Sequence, residues 1–177
     1  MAEFGHHVAE AFAYWLGGNE VYGTKFMSPA DVDTVNFLAF SGRCGGGGGS
    51  AKGLIVKASD LTIVANAIGD PVVLAGAQAW HSSPFSILPV LAPLTDYYLM
   101  VISNCGPGDF AVFYHAGGVN QSGIDAVNSY AAPADLGVLT TEYNVEDSIY
   151  VDYNVGGATP QLRASIASKL IAARLIR

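Results

Sequence analysis

Residues Leu94–Tyr114, LTDYYLMVISNCGPGDFAVFY, constrain the fold more than any other stretch of the chain. Two strongly apolar runs, Tyr97–Ser103 and Phe110–Tyr114, flank Asn104-Cys105-Gly106-Pro107-Gly108-Asp109. Tyr, Val, Ile and Phe suit a pleated, half-buried surface, whereas Asn, Gly, Pro and Asp favour turns. The pattern predicts the central antiparallel hairpin of a β-sandwich, onto which earlier and later strands add.

The rest of the chain reads in the same way. Val21–Met27, Val32–Ser41, Gly53–Ala58, Leu61–Ala65, Val72–Trp80, Val138–Glu142 and Ser148–Tyr153 are short strand-like runs separated by turn residues. Residues 4–16 fit both the helical and the strand period. A strand is preferred because Gly17-Gly18-Asn19 then turns it into Val21–Met27. His81–Pro93 carries three prolines and reads as a long crossing loop, and His115–Pro133 as a polar surface loop. Eight or nine short strands without a convincing internal helix predict an all-β fold. The expected architecture is a single antiparallel, jelly-roll-like β-sandwich over residues 1–158.

Gly42–Lys52, with five consecutive glycines, reads as an exposed flexible loop. It is not a phosphate-binding loop. That motif needs Lys and Ser/Thr together at the opening of a helix, and here Gly49-Ser50-Ala51-Lys52 runs into a strand.

After Gly156-Gly157, Thr159 and Pro160 are suited to the N-cap and first position of a helix. Leu162, Ile166, Leu170 and Ala173 follow at helical spacing, with Arg163, Lys169, Arg174 and Arg177 partly opposite. Residues 159–177 therefore read as a short amphipathic arm. Charge divides at the same place. All fifteen acids lie at or before Asp152 and only four of the eight basic residues precede position 159. The body thus carries a formal −11 and the arm +4. An acidic body argues against nucleic acid, and an oppositely charged arm invites contact with another copy of that body. Charged residues make up 13% of the chain, about half the share of an average soluble domain. Surface so poor in charge points to buried subunit contacts.

No apolar run reaches the ~20 residues of a membrane-spanning helix. Glu3 and Glu10 stand where a signal peptide needs a basic start and an apolar core, so synthesis in a cytoplasm without a secretory address is expected. Cys44 and Cys105 both fall in glycine-rich turns. If the strands alternate as assigned, both turns lie at one end of the sandwich and a disulfide is geometrically allowed; two free loop thiols are the alternative.

Tyr22-Gly23-Thr24-Lys25-Phe26 before a proline-containing turn, Trp80 ahead of a proline-rich loop, and Leu94-Thr95-Asp96-Tyr97-Tyr98-Leu99 opening a strand form a recognisable order. Over Val21–Ser41 and Trp80–Tyr114 this order resembles jelly-roll and carbohydrate-binding-module-like β-sandwich domains of virion and surface proteins. Such modules often carry a glycine before the paired tyrosines, whereas Asp96 here leads straight into Tyr97. The resemblance implies a fold and carries over no ligand residue.

No nucleophile elbow accompanies the four histidines, His6, His7, His81 and His115, so no catalytic residue is assigned. Asp31/Asp33 and Glu146/Asp147 lack the dense loop spacing of a calcium site, and the two cysteines have no histidines at zinc-ligand spacing. No metal or cofactor is expected. The function expected is that of a non-enzymatic structural subunit that self-assembles, alone or with other assembly proteins, into a virion or extracellular surface assembly. Leu162, Arg163, Ile166, Lys169, Leu170, Arg174 and Arg177 are its expected interface. The alternative is a glycan-binding module using Trp80, His81, His115 and Tyr130.

Overall fold

The computed structural model describes residues 2–46, 48–116, 122–125, 128–139, 141–143 and 145–156, and over them the regular structure is entirely β. In chain order the strands are Ala2–Gly5 (β1), Phe12–Leu16 (β2), Val21–Met27 (β3), Val32–Cys44 (β4), Ser50–Lys57 (β5), Ile63–Ile68 (β6) and Val72–Val73 (β7). There follow Ala79–Pro84 (β8), Asp96–Ser103 (β9), Phe110–Ala116 (β10), Ser122–Asp125 (β11), Thr141–Tyr143 (β12), Val145–Asp147 (β13) and Ile149–Val155 (β14). They form two antiparallel sheets packed face to face. The first has the order β1-β14-β4-β10-β13, with β2 added to β10 and β8 to β4; the second runs β12-β11-β3-β9-β5-β6, with β7 on β5.

Alternation along β9 shows why its sequence is so uniformly apolar. Tyr97, Leu99 and Val101 face the other sheet and pack in a core with Leu38, Phe40, Ile55, Phe110 and Val112. Tyr98, Met100 and Ile102 face the opposite way, yet they too are buried, beside Val21, Leu54, Val56 and Leu136. Leu136 belongs to the segment 128–139 that covers this outer face, and its N–H donates to the Leu61 carbonyl at 3.0 Å. A strand buried on both faces loses the polar alternation of a half-exposed one.

The expected hairpin is corrected. β9 lies between β3 and β5 in the second sheet, whereas β10 lies in the first, bonded to β2, β4 and β13. Residues 104–109 cross the end of the sandwich. Turn chemistry dictates that the chain reverses, but not whether the next strand pairs with its predecessor or enters the facing sheet. Here long-range pairing decides. β9 is flanked by β3 over seven residue pairs and by β5 over seven more.

Several boundaries also move, and the expected surface loop His115–Pro133 contains the end of β10 and the buried strand β11. β4 continues to Cys44 and β5 opens at Ser50, so the glycine loop is shorter than predicted and Gly42 is a buried strand residue. Val72–Trp80 is not one strand. Leu74 N–H instead donates to Gly49, and Ala75 accepts from Cys44, pinning the glycine loop. β8 then takes in His81–Pro84, assigned to a loop by its proline. Cys44 and Cys105 are joined as a disulfide, with Cα atoms 6.2 Å apart, and both are buried rather than sitting in open turns. The amphipathic arm and its seven expected interface residues lie outside the described residues. No helix among the described residues is long and apolar enough to cross a membrane.

Candidate functional site

The ambiguous stretch 4–16 resolves into two strands of the first sheet joined by a strap across its outer face. Gly5 starts the strap. Its φ of +114° is one that other residues rarely adopt, and a Cβ there would lie 2.7 Å from Tyr150 Cα. Residues 6–11 are then held by three bonds. His6 N–H donates to the Ile149 carbonyl (2.7 Å), Glu10 N–H to Ser148 Oγ (3.2 Å), and Gln78 Nε2 to the Glu10 carbonyl (2.8 Å). Ser148 is the residue where one continuous run changes partners. β13 before it pairs with β10, and β14 after it pairs with β4. The strap is therefore anchored at a break in the sheet.

This anchoring brings four side chains together. His115 of β10 stands directly opposite Glu146 of β13, and His6 and Glu10 descend on them from the strap. Glu10 Oε1 lies 3.3 Å from His6 Nε2 and 3.9 Å from His115 Nδ1. Glu146 Oε2 lies 3.5 Å from His115 Nε2 and 3.9 Å from His6 Nδ1. The imidazoles lie 4.4 Å apart, tilted by 34°. Each carboxylate thus faces one nitrogen of each ring. His115 Nδ1 is buried and has no hydrogen-bond partner among the described residues.

An aromatic group adjoins the cluster. His7 stacks on Tyr150 at 3.9 Å, Trp80 meets both rings edge-on at 5.3 Å, and Phe37 packs against Tyr150 at 6.3 Å. His7 Nδ1 pairs with Glu3 Oε2 at 2.7 Å.

Next to Glu146, the chain sends Asp147 the other way, into the interior. Thr24 Oγ1 donates to Asp147 Oδ2 at 2.6 Å and accepts the Asp147 N–H at 2.9 Å. Burial pushes this carboxyl up to about 7, the Thr24 and Tyr22 hydroxyls pull against that rise, and the Glu146 charge adds to it. Burial, followed by the nearby Asp147 charge, likewise raises the Tyr22 phenol.

The four residues proposed from sequence as ligand contacts do not converge. Trp80 and His115 are on the outer face of the first sheet. His81 turns inward against Phe40, 5.7 Å between rings, and burial lowers its proton affinity. Tyr130 lies over the outer face of the second sheet, where Lys52 Nζ donates to its carbonyl at 2.9 Å and sits 4.5 Å from its ring centre. Sequence reasoning missed Glu10 and Glu146 as partners of the histidines. His6 and His115 are 109 positions apart, and only the strap and the β10–β13 register bring them together. Elsewhere, Lys25, Ala58, Ser59, Thr95, Asp96 and Tyr98 line a depression of about 330 Å³.

Comparison with known proteins adds little. No family model and no curated protein matches the chain. Among solved structures it is similar to one described as the crystal structure of Thermotoga maritima 1070, at 13% identity and a TM-score of 0.26, covering 80% of this chain and 98% of that one. A likeness at that level carries no argument.

Proposed function

We propose that the protein is a non-enzymatic structural subunit, a β-sandwich that self-assembles into a virion or other surface assembly. The observation that carries this reading is an exposed apolar strip beside the point where the described chain ends. Ile87 and Val90 are each more than half exposed and Leu88 is 41% exposed, while Val155, across β4 from them, is also more than half exposed. The strip is fastened to β4, since Val35 N–H donates to Pro89, Leu91 N–H to Asp33, and Thr34 bridges Val90. Gly156 N–H donates to Asp31, so the chain leaves towards residues 157–177 next to this strip. Asp31, Asp33 and Asp70 flank it, the last bonded to Ser86.

Greasy side chains bordered by carboxylates match an arm that carries Leu162, Ile166 and Leu170 with Arg163, Lys169, Arg174 and Arg177. In this reading the arm of one copy closes the strip of the next. Burying three such side chains is worth on the order of 5 kcal/mol before ordering costs. Deleting residues 159–177 tests it. The truncated chain should sediment as a lighter species than the full chain, and an unchanged mass would refute the role of the arm.

A second reading rests on Trp80, half-buried beside the exposed His7, because sugar rings stack on aromatic faces. A glycan-binding module would give saturable signal on a glycan array and lose it in Trp80→Ala; a structural subunit gives none.

A further inference from the structure

We propose that His6, Glu10 and His115 form a binding site for a divalent transition-metal ion of the Zn²⁺ class, with Glu146 as the outer carboxylate that orients both imidazoles. Three observations independent of the assembly reading lead there. First, one donor atom from each of the three residues lies within 4.8 Å of the others. Tetrahedral coordination at ordinary zinc bond lengths needs donors roughly 3.3–3.5 Å apart. The Glu10–His6 separation of 3.3 Å already meets this; the Glu10–His115 separation of 3.9 Å and the separation of the two histidine donors, within 4.8 Å, have to close on the ion.

Second, the nitrogens divide by role. Glu10 faces His6 Nε2 and His115 Nδ1, while Glu146 faces the remaining nitrogen of each ring. Metal-bound histidines commonly donate the other ring N–H to a carboxylate, which fixes the tautomer and leaves a lone pair for the ion. Glu146 stands where both histidines would use it so. Third, His115 Nδ1 is buried with no hydrogen-bond partner among the described residues. A metal ion would satisfy that nitrogen.

The backbone holds these side chains in place. Glu10 is tied at both its N–H and its carbonyl, His6 at its N–H, and His115 and Glu146 are paired across β10 and β13. Two imidazoles with one carboxylate suit Zn²⁺, Co²⁺, Ni²⁺ or Cu²⁺ and disfavour the all-oxygen preference of Ca²⁺ and Mg²⁺. Side-chain exposures of 16%, 27% and 32% for His6, Glu10 and His115 put the cluster within reach of solvent. Bound there, the ion would staple the strap to the sheet at the Ser148 break.

The test is calorimetric titration of ZnCl₂ into the chelator-treated full chain, with CoCl₂ and its visible absorption as a second readout. The wild type should bind one ion per chain, show the absorption bands of nitrogen–oxygen-coordinated Co²⁺, and melt at a higher temperature with zinc. Calcium should not compete. Glu146→Gln should weaken binding by about 10–100-fold, and Glu10→Gln or His115→Ala by more. Asp60→Asn, at an exposed turn of the second sheet, should change nothing. Glu10→Gln keeps the side chain's shape and leaves the backbone bonds of Glu10 in place, so it separates lost ligation from lost folding, which circular dichroism checks. Absence of saturable zinc binding by the folded wild type, unchanged affinity in Glu10→Gln, or loss of binding in Asp60→Asn would each overturn the assignment.

Discussion

Replacing Asp147 by Asn should make the protein more stable at pH 8 and leave it nearly unchanged near pH 4. Asp147 is fully buried, and its carboxyl is raised from an ordinary 3.8 to about 7. Between those values the unfolded chain releases the proton while the folded chain keeps it. The folded state then binds more protons, so stability falls as pH rises through the window and levels off above about 7. At about 1.4 kcal/mol per decade of proton affinity, the full penalty is roughly 4 kcal/mol. Asn keeps an acceptor for the Thr24 hydroxyl but carries no charge, so it escapes the penalty. The Thr24 and Tyr22 hydrogen bonds to the carboxylate are already counted in the raised proton affinity, so the gain expected at pH 8 is roughly 4 kcal/mol. Urea unfolding followed by Trp15 and Trp80 fluorescence at pH 4.5, 6 and 8, with chelator present, measures it. Tyr22, Thr24 and Glu146 surround the group in both proteins, so the difference between variant and wild type isolates Asp147. A difference that is the same at pH 4.5 and pH 8 would refute the buried-carboxylate argument.

Two further outcomes are expected. Reducing the Cys44–Cys105 disulfide, which closes a separation of 61 residues, should lower unfolding stability by about 4 kcal/mol on the chain-entropy account; denaturant melts with and without reductant decide, and coincident curves would count against it. Gly5→Ala places a Cβ against the Ile149 carbonyl and Tyr150 at a positive φ, so a loss of about 1–3 kcal/mol should appear in thermal melts, with weaker zinc binding as the strap shifts.

Local chemistry in the sequence was sufficient for the fold class but not for the pairing. β3 has the bounds its composition predicts, because Val21–Met27 is a β-rich run closed by turn residues at both ends. β9 was legible for the same reason, and its burial on both faces makes the signal stronger. Its neighbours were not legible. Register and sheet membership are set by contacts dozens of residues away, which is why an expected hairpin became a crossing between sheets. The expected strand Val72–Trp80 covered β7 and the start of β8 but not the break between them or the run on to Pro84, because small side chains and a proline hide a segment whose place is fixed by pairing with β5 and β4. The histidine–glutamate cluster was invisible for a related reason. His6 and Glu10 come together with His115 only because a glycine lets the strap leave β1 and Ser148 gives it an anchor.

The proposed role in assembly depends on the strip at Ile87, Leu88 and Val90 being closed by another copy of the chain. Sedimentation equilibrium of the purified full chain over a concentration series tests that most directly. The account predicts a mass at a multiple of 18.4 kDa that persists on dilution and falls in Ile87→Lys. A single species of 18.4 kDa at every concentration would contradict it.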